Sequence, residues 1–593
     1  MICFRNIYNP DTQNQLGFCQ NAMTSDHILT LNTCIESTIK KSKKRLYSCF
    51  VDYAKAFDTV CREALLYKLW KLGIQGKYFN CLQHMYSNSS AKIKLLKKLS
   101  EKIDVLCGTE QGHPMSPELF KCFVHQLSED LNNLDDVEVP ALNSQRVTHL
   151  LWADDLVLLA LNPESLQRML DVLYSYCMEW GLTVNISKTA VMVFNRAGRL
   201  LKESHTFSYG NTMVPSAREY TYLGIVFTLS GSPKRAQTAL RQKAMRSYFS
   251  LKNMVDLNSL NKEITFKLFD ALIVPVAAYG CQIWLPYTNL FKTLSTSPGL
   301  TPALSKLAQD PLERVHLSFL KWTLNVGKYT SNAAIWGDSG RYPLAVELTE
   351  QVYSYLERLE RMDTENSTAF VRHALVEQRS LELSWYSNLK TAEACISHLA
   401  KSNSSTPQKT KEALSLLFLM QWENERHHNQ KLHFYNSVKS SFGCETYLRV
   451  ELNHQQLRRL AQIRTSSHRF NVETGRHGPE KRSTLLNRVC HHCSDTDTLK
   501  YMLELPFQAS QVVVEDELHV LQTCPRYKDL REQMSEPAKT YLNEDPGRLF
   551  TEQGLILQLA KFLVRVNDRR FPKKRTDEVP GNNNENCGPK QPT

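Results

Sequence analysis

Long apolar runs are scarce in this chain. No window of 18 residues is continuously apolar, and the longest approach, ALIVPVAAYG at 271–280, is short and interrupted by Pro275. A bilayer-spanning helix needs about 20 apolar residues, so no membrane partner is expected. The start, MICFRNIYNP, has no apolar core after a basic segment, so it does not read as a secretory signal. Regular cysteine spacing is also missing. The 16 cysteines are mostly single and irregularly placed, as expected of reduced thiols in an intracellular compartment, nucleus or cytoplasm. The exception is CHHC at 490–493. There is no internal repeat, and nothing in the sequence states an oligomeric form.

What is present is ordinary for folded protein: 42% hydrophobic and 22% charged residues over 593 positions. That length exceeds one core and suggests about three or four domains. The net charge of +12 is compatible with a polyanionic partner.

Up to about residue 230, strand-like and helix-like patterns alternate. RLYSCFVDYAKAFDTV (45–60) opens as a β-rich run and leads into REALLYKLWKLGI (62–74), apolar at helical spacing. HLLWADDLVLLA (149–160) reads as strand, turn, strand. A helix follows with Asn162 as cap, Pro163 in its first turn and Gly181 as stop. Its apolar face is Leu166, Met169, Leu170, Leu173, Cys177 and Trp180. LTVNISKTAVMVF (182–194) and EYTYLGIVFT (219–228) each predict a further strand. From about 234 to 430 the pattern is helical, with a Ser/Thr/Pro-rich loop at 294–305 and a linker or exposed loop at 402–411. The tail 571–593 is polar, rich in Pro, Gly and Asn, and is expected to be disordered.

Two adjacent carboxylates, Asp154 and Asp155, interrupt an apolar run, and Asp52 sits near the end of another. Asp is a common turn residue, so a solvated turn is the plain reading of each pair or single. Acidic residues from neighbouring strands can also converge on one sheet edge. There they repel unless they hold divalent cations, and Mg²⁺ with carboxylates and substrate phosphates is the usual arrangement.

In order, FVDYAKAFDTV, GTEQGHPMSPELF (108–120), LWADDLVLLA, GLTVNISKTAVMVF and YLG (222–224) resemble the palm motifs of reverse transcriptases of LINE-type (non-LTR) retrotransposons. QNQLGFCQNAMTSDHILTL (13–31) resembles the last fingers motif of that family. The resemblance implies an α+β fold: a right-hand polymerase palm with partial fingers, a largely helical thumb and connection, and a small C-terminal zinc-binding module. It implies an RNA-directed DNA polymerase that binds an RNA template, a DNA primer and dNTP and uses two Mg²⁺ ions. Asp52 and Asp154 would be the principal Mg²⁺ ligands and Asp155 the third catalytic carboxylate. Phe57 would exclude a 2′-hydroxyl, Gln111 and Gly112 would position template and nascent pair, and Lys188 would meet the triphosphate or pyrophosphate. Plain alternatives are a core aromatic for Phe57 and a solvated lysine for Lys188.

Two departures stand out. Trp152 replaces the usual Tyr two residues before the paired aspartates, at the primer end, and Cys19, Gln20 and Asn21 stand where basic residues are usual. Earlier fingers elements and an endonuclease are expected to be missing, as in an N-terminally truncated polymerase. A catalytically inactive remnant that binds nucleic acid is therefore the rival reading, and an RNA-templated RNA polymerase is a third.

Cys490-x2-Cys493 and His519-x4-Cys524 supply four N/S ligands suited to one structural Zn²⁺, with His491 and His492 as competing donors. Buried free cysteines are the plain alternative. The block resembles the C-terminal Cys-Cys-His-Cys element of the same retrotransposons. Just before it, the basic stretch 457–482 reads as a phosphate-contacting stripe or a solvated surface. The expected division is 1–230 for partial fingers and palm, 231–430 for the helical thumb and connection, 431–570 for the basic zinc-binding region and 571–593 for the tail.

Overall fold

The computed structural model describes residues 13–87, 89–110, 112–201, 205–256, 260–296, 304–364, 369–399, 406–474, 488–494 and 513–572. Outside them lie Gln111, most of the expected loop (297–303), part of the linker (402–405), residues 475–487 and 495–512, and the tail from 573 on. Two compact units are formed. One comprises 1–255, 267–317 and 342–423, and the other 256–266, 318–341 and 424–593. The helical stretch 231–430 is thus shared between them.

The first unit is built on a four-stranded antiparallel sheet. Its strands are β1 (Leu46–Val51), β2 (His149–Trp152), β3 (Asp155–Ala160) and β4 (Ala190–Phe194), in the order β4-β1-β3-β2. β1 is central and every one of its residues is buried, which is why LYSCFV shows no polar alternation. Around the sheet lie α1 (Thr24–Glu36), α2 (Arg62–Lys71), α3 (Ser116–Asn132) and α4 (Pro163–Trp180). α4 matches its punctuation: the Asn162 side chain accepts from the Ser165 N–H at 2.7 Å, and Gly181 closes the helix at φ 75°. Its six expected apolar residues are all buried in a core shared with α2 and α3.

Three expectations are corrected. In 182–194 only 190–194 is a strand. Asn185 turns the chain, its carbonyl accepting from the Lys188 and Thr189 N–H groups at 3.1 and 2.9 Å. EYTYLGIVFT is a hairpin, β5 (Glu219–Tyr222) and β6 (Ile225–Thr228), because Leu223 and Gly224 both take positive φ, 45° and 79°. Positive φ at both central residues is the two-residue turn that matches strand twist. The expected linker 402–411 already enters a helix, Pro407–His428, with proline in its first turn.

In the second unit a charge is buried. Arg464 Nε lies 3.0 Å from Asp338 Oδ1 and its Nη2 2.7 Å from Glu445 Oε1. The Tyr447 hydroxyl donates to Asp338 Oδ2 at 2.9 Å. Within the basic stretch, Arg464 is therefore a core ion pair and not a phosphate contact, while Arg469 is exposed. Among the described residues no single helix is long and apolar enough to cross a membrane.

Candidate active site

β1 delivers Asp52 immediately past its last residue. Its N–H donates to Thr189 Oγ1 at 3.1 Å, and its carbonyl accepts from the Asn185 N–H at 2.7 Å. The turn at Asn185 that ended the expected strand therefore braces the acid. It also carries Lys188, whose Nζ lies 3.8 Å from Asp52 Oδ2.

Asp154 and Asp155 sit at the β2–β3 turn, next to β1 in the sheet, where Trp152 pairs with Asp155. Tight reversal puts Ala153 at φ 57°, a left-handed conformation costly for a side chain. Residues 14–17 hold it. Leu151 and Leu16 N–H groups donate to Asn14 and Leu151 carbonyls at 2.9 and 3.1 Å. The Gln15 amide then brackets Ala153, accepting its N–H at 3.0 Å and donating to its carbonyl at 3.1 Å. A Cβ at Gly17 would lie 2.2 Å from Ala153 N, so only glycine permits the approach. No local sequence signal marks Gln15 for this role, because its partner lies 138 residues away.

The three carboxylates feel one another. Burial first, and then the charges of Asp154 and Asp52, push Asp155 up to about 6. Asp154 is raised by burial and by Asp52, with its own backbone hydrogen bond opposing. A site that penalises its own anions in this way suits a divalent cation, which would favour the charged forms of Asp154 and Asp155. The oxygens are not drawn into a tight cluster, however. Among the described residues, the group of His, Cys and acidic ligand atoms lying within 4.8 Å of one another is the C-terminal one.

Phe57 is half-buried, stacked on Phe120 at 4.4 Å between ring centroids and met edge-on by Phe18 at 6.4 Å. Gly112 is exposed at φ 85° with nothing within 4 Å of a Cβ built there. The half-buried Trp152 is met edge-on by His27 at 5.7 Å. Burial, then the neighbouring His149, holds His27 down at about 3, so this ring is neutral. Neither His27 nor Phe120 carried a sequence signal beyond apolar periodicity.

The second cluster joins Cys490, Cys493, His519 and Cys524. A bridge between Val489 and Val514 sets the two segments side by side, and Cys490 N–H donates to the Val513 carbonyl at 2.8 Å. Cys524 Sγ then lies 4.0 Å from Cys490 Sγ and 3.8 Å from Cys493 Sγ. His519 Nδ1 pairs with Thr523 Oγ1 at 2.9 Å, so the buried Nε2 is the nitrogen left to face the sulfurs. His491 and His492 are exposed and outside the cluster. Burial opposes ionisation of Cys490, but hydrogen bonds from His519, the His492 backbone and Cys493 outweigh it and bring the thiol down to about 6. Three sulfurs, that of Cys490 prepared as a thiolate, and one imidazole nitrogen form a four-donor set that fits tetrahedral Zn²⁺.

The family model described as "Reverse transcriptase (RNA-dependent DNA polymerase)" matches residues 2–227. A Pol polyprotein from the type-1 retrotransposable element R2 of Nasonia vitripennis is 28% identical over 219 residues, 35% of this chain and 21% of that protein. The RNA-directed DNA polymerase from mobile element jockey of Drosophila funebris is 24% identical over 279 residues, 46% of this chain and 29% of that protein. A Pol polyprotein from the type-2 element R2DM of Drosophila melanogaster is 27% identical over 209 residues, 34% and 19% of the respective chains. The matched region thus spans less than a third of each of these relatives. Residues 2–227 thus carry a reverse transcriptase domain, similar to those of non-LTR retrotransposon polymerases.

Proposed function

We propose that this chain extends a DNA primer on an RNA template from dNTP, the reading that the aspartate-bearing sheet edge supports best. The observation that carries it is the placement of Asp52 at the end of β1 beside the Asp154–Asp155 turn, with Lys188 at 3.8 Å from Asp52. Asp52, Asp154 and Asp155 would hold Mg²⁺, the ion that reverse transcriptases generally use. Bound there, Mg²⁺ supplies charge neutralisation for nucleotidyl transfer. The protein's own part is positioning. Asn185 and Thr189 fix Asp52, Gln15 fixes the turn before Asp154, and Lys188 brings a cation toward the phosphates. Phe57, backed by Phe120, would lie under the incoming sugar, Trp152 would face the primer end, and Gln111 and Gly112 would position template and nascent pair. Cys490, Cys493, His519 and Cys524 would hold one structural Zn²⁺ beside the basic segment.

Primer extension by the purified chain on an RNA template, with Mg²⁺ and dNTP, tests the reading. Asp154→Asn should lower extension by about a hundred-fold or more while primer–template affinity stays within a few-fold. Undiminished synthesis by the variant would remove the assignment. A wild-type chain that binds primer–template but never extends it would favour the nucleic-acid-binding remnant.

A further inference from the structure

Helix α5 (Lys234–Met254) is entered through Ser230-Gly231-Ser232-Pro233, a loop that turns at Gly231 with φ 66°. This loop presses on α1: a Cβ at Gly231 would lie 2.6 Å from Ile35 Cγ2. Beside that contact is a cavity of about 610 Å³. Ile39 and Tyr287 give it apolar wall, and Lys40, Arg196, Lys234 and Lys292 bring four cations against one acid, Glu36.

Lys40 is engaged by that acid, with Nζ 2.7 Å from Glu36 Oε1, which also accepts the Ser384 N–H at 3.0 Å. Glu36 Oε2 is buried and makes no well-formed hydrogen bond, although the Tyr287 hydroxyl, which Asn32 also reaches, lies close to the carboxylate. A buried carboxylate oxygen left in this state is costly unless a donor reaches it. Lys234 and Lys292 meanwhile repel each other. Desolvation first, and Lys234 next, push Lys292 below the usual lysine range, with Asp310 opposing. Cations held together at a helix N-terminus, where the first N–H groups have no partner in the helix, are suited to an anion.

We propose that this cavity binds a 5′-phosphorylated nucleotide, free or at the end of a strand, with the phosphate among Arg196, Lys234 and Lys292. A sugar hydroxyl donates to Glu36 Oε2, and the base lies against Ile39 and Tyr287. None of these residues belongs to the aspartate cluster, so the site stands apart from the proposed polymerase chemistry.

Equilibrium dialysis of the full chain with radiolabelled AMP tests it. Mg²⁺ and Mn²⁺ are left out and no chelator is added, so that cation-dependent binding at the aspartates is absent while the zinc cluster is left intact. One site per chain is expected, with no binding of adenosine. The double change Lys234→Gln and Lys292→Gln should weaken AMP about ten-fold or more. The same change at Lys92 and Lys97, exposed lysines elsewhere, should leave it unaltered. Ser232→Trp, which fills the cavity without touching a charge, should also block AMP. Displacement of AMP by a 5′-phosphorylated DNA decamer but not by its 5′-hydroxyl form assigns the site to strand ends. Displacement by free nucleotide alone assigns it to the mononucleotide. No AMP binding at millimolar concentration, equal binding of adenosine, or equal loss in the Lys92 and Lys97 control overturns the proposal.

Discussion

The side-chain amide of Gln15 makes both backbone hydrogen bonds of Ala153, at 3.0 and 3.1 Å, and so holds the residue before Asp154 in a left-handed conformation. Gln15→Ala should therefore lower primer extension about ten-fold, through the turn and not through lost substrate contact. Ala153→Gly relieves the φ penalty and should restore part of that loss in the double variant. Steady-state extension rates of the four proteins decide the matter. Additive effects without rescue would mean that Gln15 acts elsewhere.

Phe57 is expected to discriminate sugars. Phe57→Val should raise rATP over dATP incorporation on a poly-U template, because removing bulk opens room for a 2′-hydroxyl. Loss of the stacking on Phe120 should also cost about 1–3 kcal/mol of stability. If urea melts shift by that amount while the nucleotide ratio is unchanged, Phe57 is a packing residue only.

The C-terminal cluster should carry one zinc per chain, measured by metal analysis of the purified protein. Cys493→Ser should abolish stoichiometric zinc, whereas Cys587→Ser in the tail should not. Thr523→Val removes the hydroxyl that pairs with His519 Nδ1, so affinity should fall about ten-fold or more with stoichiometry preserved at saturation. Zinc-free folded protein, or equal losses from Cys493 and Cys587, would be the contrary result.

Arg464 should behave as a core residue. Arg464→Gln takes the guanidinium from both acids, leaving Asp338 with the Tyr447 hydroxyl and Glu445 with Lys439, and should destabilise the second unit by about 3 kcal/mol. The salt dependence of nucleic-acid binding by the folded fraction should stay unchanged, whereas Arg469→Gln should reduce it. Reversed effects would return Arg464 to the phosphate-contacting class.

Lys68 gives a pH signature. It is buried among the rings of Phe123, Tyr176 and Trp180, and donates to the Phe123 carbonyl at 3.0 Å and the Tyr176 hydroxyl at 2.6 Å. Burial, opposed by Glu179 and Asp130, lowers it from 10.5 to about 7. Between those values the unfolded chain binds more protons than the folded one, so this group makes stability rise with pH from about 7 toward 10.5. From pH 7 to 9 the gain is roughly 2 kcal/mol, read as a urea-midpoint shift. Lys68→Met should flatten that part of the profile; an identical slope in both proteins would show that Lys68 stays charged.

Local chemistry was enough to place the paired aspartates at a strand–turn–strand, to cap and stop α4 at Asn162 and Gly181, and to select Cys490, Cys493 and Cys524. Each of those depends on residues a few positions apart, where periodicity, turn preference and ligand spacing act directly. The tertiary structure decided the remainder. It brought the expected His519 to the three sulfurs and left the competing His491 and His492 outside, because the bridge of Val489 to Val514 sets one segment against the other. It broke EYTYLGIVFT at Leu223–Gly224, where a Cβ on Gly224 would lie 2.7 Å from the Tyr279 ring. It buried Arg464 between acids 126 and 19 positions away and set Gln15 on Ala153 across 138 positions. Such partners follow from which surfaces the chain brings together, and sequence spacing carries no record of that.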